Sequence, residues 1–200
     1  MFGNPISEEE QQAGFERALL LLPFKGKTAN PVLGVRNDAR GVSKGAGKNR
    51  TIESRLNNNF INYSTRIDNK VEVIKQLPLP TTLAKTFKDS NYRTVVTKEK
   101  VLVYRAFGGN ADAGGTFVTT TPALNRIQTK IDLALVPEWK NTRNYEAVIE
   151  VPEGTVLNIG RAEKQFTKTG TILKGDEDQV LLPLNYSLEW IKEIRHIPSR

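Results

Sequence analysis

A chain of 200 residues with a formal net charge of +7, one histidine and no cysteine has no means of forming disulfides, thiolate nucleophiles or Cys-based zinc sites. It leaves only His196 for any imidazole-based metal site or Ser-His-Asp triad. The length suits one good domain plus an extension, because domains of about 100–150 residues already bury most of the apolar surface of their unfolded chains.

The sequence shows no run of about 18 apolar residues and no charged-then-apolar leader, so the expectation is a chain that neither spans a membrane nor directs its own secretion. The positive charge is uneven. Residues 1–90 carry fourteen Lys/Arg against nine Asp/Glu, and the rest is nearly balanced. The one dense basic run, Arg36 to Arg50, is Gly- and Ser-rich without interleaved aromatics, and it reads either as a solvated linker or as a patch for an anionic partner.

In chain order, Ser7 followed by Glu8, Glu9 and Glu10 is a capping-box pattern. Phe15, Ala18, Leu19 and Leu22 then make an apolar stripe that Pro23 ends. From Lys25 to Lys48 there is no periodicity, so residues 1–50 are read as a helix and a basic flexible linker. Ile52, Leu56, Phe60, Tyr63, Ile67, Val71 and Ile74 recur at helical spacing, which predicts a helical extension within 51–90, closed by Pro78 and Pro80. Leu83 and Phe87 suggest one further turn.

After Asn91 the composition becomes that of strands. Tyr92–Thr97 and Lys100–Phe107 read as a hairpin across Thr97-Lys98-Glu99. Thr116–Thr120 is a third strand. Pro122 with Thr121 as N-cap opens a helix whose stripe is Leu124, Ile127, Ile131 and Leu135. Tyr145–Val151, Thr155–Ile159, Gln179–Leu182 and Leu188–Ile197 follow as strands. One helix among many short strands predicts an α+β domain of split or mixed antiparallel sheets over residues 91–200.

Three features carry candidate chemistry. Arg105 leaves an apolar strand, VLVYR, and enters a glycine pair, where the backbone can approach a ligand and a guanidinium can grip a phosphate bidentately; a solvated or structurally paired arginine is the plain alternative. Thr119, Thr120 and Thr121 are either strand residues leading to a cap or hydroxyls facing a ribose. The stretch from Gly160 to Gln179 exceeds the roughly 12–15 residues usual for loops in compact domains, and such loops tend to be functional. It ends on Glu177-x-Gln179, two residues that alternation puts on one side if the strand begins early.

Arg105 after a tyrosine, a threonine strand, and Glu177-x-Gln179 before VLLP resemble the Arg–Ser/Thr–Glu signature of the ADP-ribosyltransferase fold. YRAFGGN, LALVPEWKN, VPEGT and GRAEKQ leading to DQVLLP resemble polymorphic bacterial toxin domains related to the tuberculosis necrotizing toxin, which are NAD glycohydrolases; the similarity covers roughly residues 83–197. The capped N-terminal segment resembles the pre-toxin regions of large secreted delivery proteins.

The resemblance implies an enzyme with NAD as substrate, no cofactor and no metal. Arg105 grips the pyrophosphate, Phe107 stacks on nicotinamide, Tyr104 and Gly108 flank the same site, and Thr119 and Thr120 shape the ribose pocket. Gln179 stands where transferases of this fold place Glu. A neutral amide supplies no charge to a ribosyl cation but can orient water, which shifts the expectation toward hydrolysis, with Glu177 as electrostatic support. The resemblance also implies delivery to a target-cell cytoplasm in interbacterial competition and a cognate immunity protein, expected to be acidic. The alternatives are a mono-ADP-ribosyltransferase with Glu177 activating the acceptor, a basic nuclease-type toxin using Arg36–Arg50, and a binding module for an acidic partner.

Overall fold

The computed structural model describes residues 63–200, so the expected Ser7–Leu22 helix and basic linker lie outside the described residues. Ten strands dominate the described residues. β1 (Val71–Val73), β2 (Phe87–Thr97), β6 (Val156–Ala162), β9 (Asp178–Leu181) and β4 (Phe117–Val118) form a five-stranded antiparallel sheet in the order β1-β2-β6-β9-β4. A second sheet, in the order β10-β5-β3, contains β10 (Ile191–His196), β5 (Asn141–Val151) and β3 (Val101–Gly109). β7 (Gln165–Phe166) and β8 (Ile172–Leu173) make a separate hairpin. The helices are short: α1 (Thr81–Ala84) and α2 (Arg126–Asp132).

Alternation along the strands builds two cores. Val95, Val101, Val103, Ile149, Leu157, Ile159 and Val180 belong to the main one, shared by both sheets. On the other face of the five-stranded sheet, Leu181 joins Leu83, Phe87 and Tyr92 under α1. On β9, Val180 therefore faces the main core and Leu181 the smaller one, so Gln179 points to the α1 side and Asp178 to the other.

The β2–β3 hairpin is not formed. β2 pairs with β1 and β6, whereas β3 pairs with β5, so the chain leaves the five-stranded sheet at Lys98–Lys100 and, after a brief return at β4, re-enters it between β5 and β6. Thr97 ties the two crossings together. Its amide donates to Thr155 O at 3.0 Å and its carbonyl accepts from Gly154 at 2.8 Å. Its hydroxyl donates to Pro152 O at 2.6 Å and accepts from the Thr155 amide at 2.9 Å. Strand propensity saw both segments, but their partners are chosen by these non-local bonds.

The helix expected through Ile74 is also absent over its described part. Asp68–Lys70 is a single 3-10 turn, Val71–Val73 is an edge strand, and Ile67 and Val71 enter the main core. Spacings of four residues fit a helix, but here backbone pairing of Val71–Val73 with Val95–Thr97 wins. The helix expected at Pro122 begins instead after Asn125, whose side chain accepts from Gln128 N at 2.8 Å; Leu124 and Ile127, expected on its buried stripe, are exposed. The last expected strand begins as a 3-10 turn, Leu188–Trp190, before β10.

At the entry to the described chain, Asp68 accepts from the Thr65 hydroxyl at 2.6 Å and amide at 3.1 Å, and pairs with Arg93. Burial alone would raise its carboxyl, but the two Thr65 bonds and the Arg93 charge together hold it below the ordinary carboxylate value. A depressed folded value means a stabilising contribution that is full above the unfolded value of about 3.9 and fades as the pH falls below it. Urea midpoints of the wild-type chain and Asp68→Asn, compared from about pH 7 to about pH 2.5, should therefore converge at the acid end. Thr97→Val leaves the Thr155 amide without its acceptor and removes one of the two hydroxyl donors to Pro152 O, and should cost about 1–3 kcal/mol in equilibrium urea unfolding.

Candidate functional site

Gln179 lies on β9 opposite Gly160 of β6. Its Nε2 donates to Thr86 Oγ1 at 2.9 Å and to Thr86 O at 3.2 Å, which binds the β9 side chain to the residue that joins α1 to β2. Its neighbour Asp178 goes the other way. It is buried, accepts from the Thr120 hydroxyl, and pairs with Arg161 at 3.0 Å. Burial raises its carboxyl above the ordinary range, with Thr120 and Arg161 opposing the shift. Arg161 and Arg93 both lie over the ring of Tyr63, at 5.0 and 5.5 Å, and burial pushes the Tyr63 hydroxyl to about 12 while it donates to Ile159 O at 2.8 Å.

Arg105 is only 5% exposed. Its Nε donates to Asp112 O at 2.8 Å and its Nη1 to Phe117 O at 3.0 Å. Gly115 passes against the guanidinium so closely that a Cβ there would overlap it. Buried charge needs such partners, and the Asp112–Phe117 connection is wrapped to supply them.

Two clefts adjoin at Ala106 and Leu133, which line both. The wide one, about 470 Å³, is bounded by Thr119, Glu177, Gln128, Asp132, Glu146 and Arg66 among others. The narrow one consists of two lobes of about 50 Å³ each that share Phe117, Leu133, Leu135 and Gln179; Tyr104 and Arg105 line one lobe, Thr86, Trp139 and Glu163 the other. Among the described residues, no group of three or more His, Asp or Glu side chains is placed to hold a metal ion.

The predicted residues thus divide. Arg105, Tyr104 and Gln179 meet in the narrow cleft, while Thr119 and Glu177 line the wide one. Glu177 and Gln179 do not share a side, because β9 begins only at Asp178: Asp176 is left-handed at φ +75° and the Glu177 amide donates to Asp132 O at 3.2 Å, which turns Glu177 out of the pleat. Thr120 is buried against Asp178. Phe107 packs on the main core with its ring 5.6 Å from that of Tyr145 and lines neither cleft. Gly108, at φ +135°, sits where the β3–β5 register shifts and a Cβ would meet Thr142 Oγ1 at 2.5 Å.

Sequence reasoning missed Thr86, Phe117, Trp139 and Glu146. Glu146 is buried at 2% exposure, accepting from Ala123 N at 2.6 Å and from Arg195 at 2.6 and 2.8 Å. A glutamate beside Ala147, Val148 and Ile149 in an apolar strand was the available signal, since buried carboxylates are paired.

Neither a family model nor a curated protein matches the chain. Among solved structures, one described as the structure of Tne2 in complex with Tni2 is similar to it at 11% identity and a TM-score of 0.44, covering 55% of this chain and 95% of that one. At this identity and score the likeness carries nothing about function.

If the guanidinium of Arg105 fixes the Asp112–Phe117 connection, a methyl group at the point of closest approach must displace it. Gly115→Ala should lower stability by about 1–3 kcal/mol in urea unfolding, and an unchanged midpoint would show that the connection is not packed against Arg105.

Proposed function

We propose that this domain hydrolyses NAD to nicotinamide and ADP-ribose and acts as the toxic part of a larger secreted protein. The observation that carries the reading is that Arg105, from one sheet, and Gln179, from the other, line the same narrow cleft. Both were singled out from sequence on separate grounds.

In this reading the nicotinamide end of the substrate enters the narrow cleft, and the rest of the dinucleotide extends past Ala106 and Leu133 into the wide one. Phe117 and Trp139, which line the narrow cleft beside Gln179, provide the aromatic wall that Phe107 does not. The Arg105 donors with identified partners hold backbone carbonyls, so this residue positions the cleft wall, and its fixed charge attracts the pyrophosphate. The bond between ribose C1′ and the nicotinamide nitrogen breaks with its electron pair leaving on nicotinamide. No general acid is needed, because the leaving group departs neutral. Water then adds to C1′ and loses a proton to solvent, with Gln179 orienting the water or a ribose hydroxyl.

The transferase alternative asks for Glu177 beside an acceptor at the reacting carbon. Its position in the wide cleft, away from Gln179, supports hydrolysis instead. Delivery into a target-cell cytoplasm, and protection of the producer by an acidic immunity protein complementary to this basic chain, belong to the same proposal.

Chromatography of NAD incubated with the protein should show equal release of nicotinamide and free ADP-ribose, unaffected by added bulk protein or RNA. Gln179→Ala should cut kcat by about 10²-fold in a chain that still folds and unfolds cooperatively. Full activity in the folded variant sinks the assignment of Gln179, and nicotinamide release only with an acceptor present identifies a transferase.

A further inference from the structure

The hydrogen bonds around Thr86 decide which end of the Gln179 amide faces the cleft. Thr86 O is a carbonyl and can only accept; it already accepts from the Glu163 amide at 2.9 Å. The Thr86 hydroxyl has one proton, and that proton is given to Leu83 O at 2.7 Å. Towards Gln179 it can therefore only accept as well. Two acceptors meet the Gln179 side chain at 2.9 and 3.2 Å, so the NH2 group must lie against Thr86, and the carbonyl oxygen must point away. That oxygen accepts no hydrogen bond among the described residues, while Gln179 and Thr86 both line the narrow cleft.

We propose that Thr86 is a positioning residue that locks the Gln179 amide in one orientation and so presents Oε1 to the cleft as a fixed hydrogen-bond acceptor. The group it receives must bring an O–H or N–H. With NAD as substrate, that group is a hydroxyl of the nicotinamide ribose or the attacking water. Thr86 is itself held at the end of α1: its amide donates to Leu83 O at 3.0 Å. Together with the hydroxyl bond to Leu83 and the Glu163 amide, this anchors the acceptor pair that reads the amide. The inference rests on the assignment of Gln179 to the reaction, and the experiment separates the two.

The test uses the protein spanning residues 1–200, by side-chain amide NMR and by NAD-hydrolysis kinetics. In the wild-type chain at least one Gln179 Nε2 proton should exchange with solvent more slowly than those of exposed glutamines; both exchanging at the exposed rate overturns the proposal, whatever the activity. Thr86→Val, which removes one of the two acceptors, should speed that exchange and lower kcat by about tenfold at nearly constant KM, with Thr86→Ser restoring both. Gln179→Glu should give a pH profile the wild type lacks, because only the protonated carboxyl can donate to Thr86 O: kcat falls as the pH rises through the carboxyl titration. An inactive Gln179→Ala together with an unchanged kcat in Thr86→Val overturns the role of Thr86 and leaves that of Gln179. Should Thr86→Val fail to fold, the wild-type amide exchange and the Gln179→Glu profile still decide, and a flat Gln179→Glu profile overturns the proposal.

Discussion

A guanidinium that never loses its charge cannot be buried without oxygen atoms around it, and the burial of Arg105 dictates the path of the chain from β3 to β4. The carbonyls of Asp112 and Phe117 turn inward to accept from it, and Gly115 crosses at a separation no side chain would permit. The same wrapping delivers Phe117 and Val118 to the edge of the five-stranded sheet beside β9. One residue later, Thr119 and Tyr104 exchange backbone hydrogen bonds at 2.8 Å in both directions, joining the two sheets. A residue that the resemblance marks for substrate is thus also the reason the cleft has walls.

β9 is held from both faces. On one, Asp178 is bonded by Thr120 and Arg161, and Arg161 rests on the ring of Tyr63. On the other, Gln179 is bonded to Thr86 and Leu181 is packed in the core under α1. Strand alternation makes this possible within two consecutive residues. Side chains locked by their own packing and hydrogen bonds are what a binding or catalytic site requires, because a displacement of about 1 Å is enough to lose much of a rate.

Most strands of this domain are legible in the sequence because Val, Ile, Tyr and Thr cluster in them, as in Tyr92–Thr97. Their partners are not legible, since propensity is local and sheet choice is made by bonds such as those of Thr97 to the 152–155 turn. The four-residue spacing of Tyr63, Ile67 and Val71 imitates a helix, although these side chains reach the main core from irregular chain, from the turn that precedes Asp68–Lys70 and from an edge strand. Thr121, before Pro122, is the cap expected from sequence, and Asn125 is the cap the fold uses. Asn125 prevails where Glu146 captures the Ala123 amide just before it and leaves Pro122 outside the helix. Arg105 and Gln179 could be singled out by motif, whereas Thr86, a lone threonine after one helical turn, offers no signal until its two acceptors are seen against the Gln179 amide.

The neutral side chain at position 179 follows from its surroundings. A glutamate there would set a carboxylate oxygen against the carbonyl of Thr86, with two acceptors facing each other and no proton between them. It would also put a negative charge in the cleft that Arg105 lines, where opposite charges weaken one another's fields. Glutamine avoids both conflicts. Its nitrogen answers Thr86, its oxygen remains an acceptor of fixed direction, and the Arg105 charge is left to act on an anionic ligand. A cleft built this way can hold and orient a hydroxyl but offers little charge to a developing cation. On the proposed reading, bond breaking would then draw on how tightly the rest of the ligand is gripped, which would place the energetic burden on the wide cleft beyond Ala106 and Leu133.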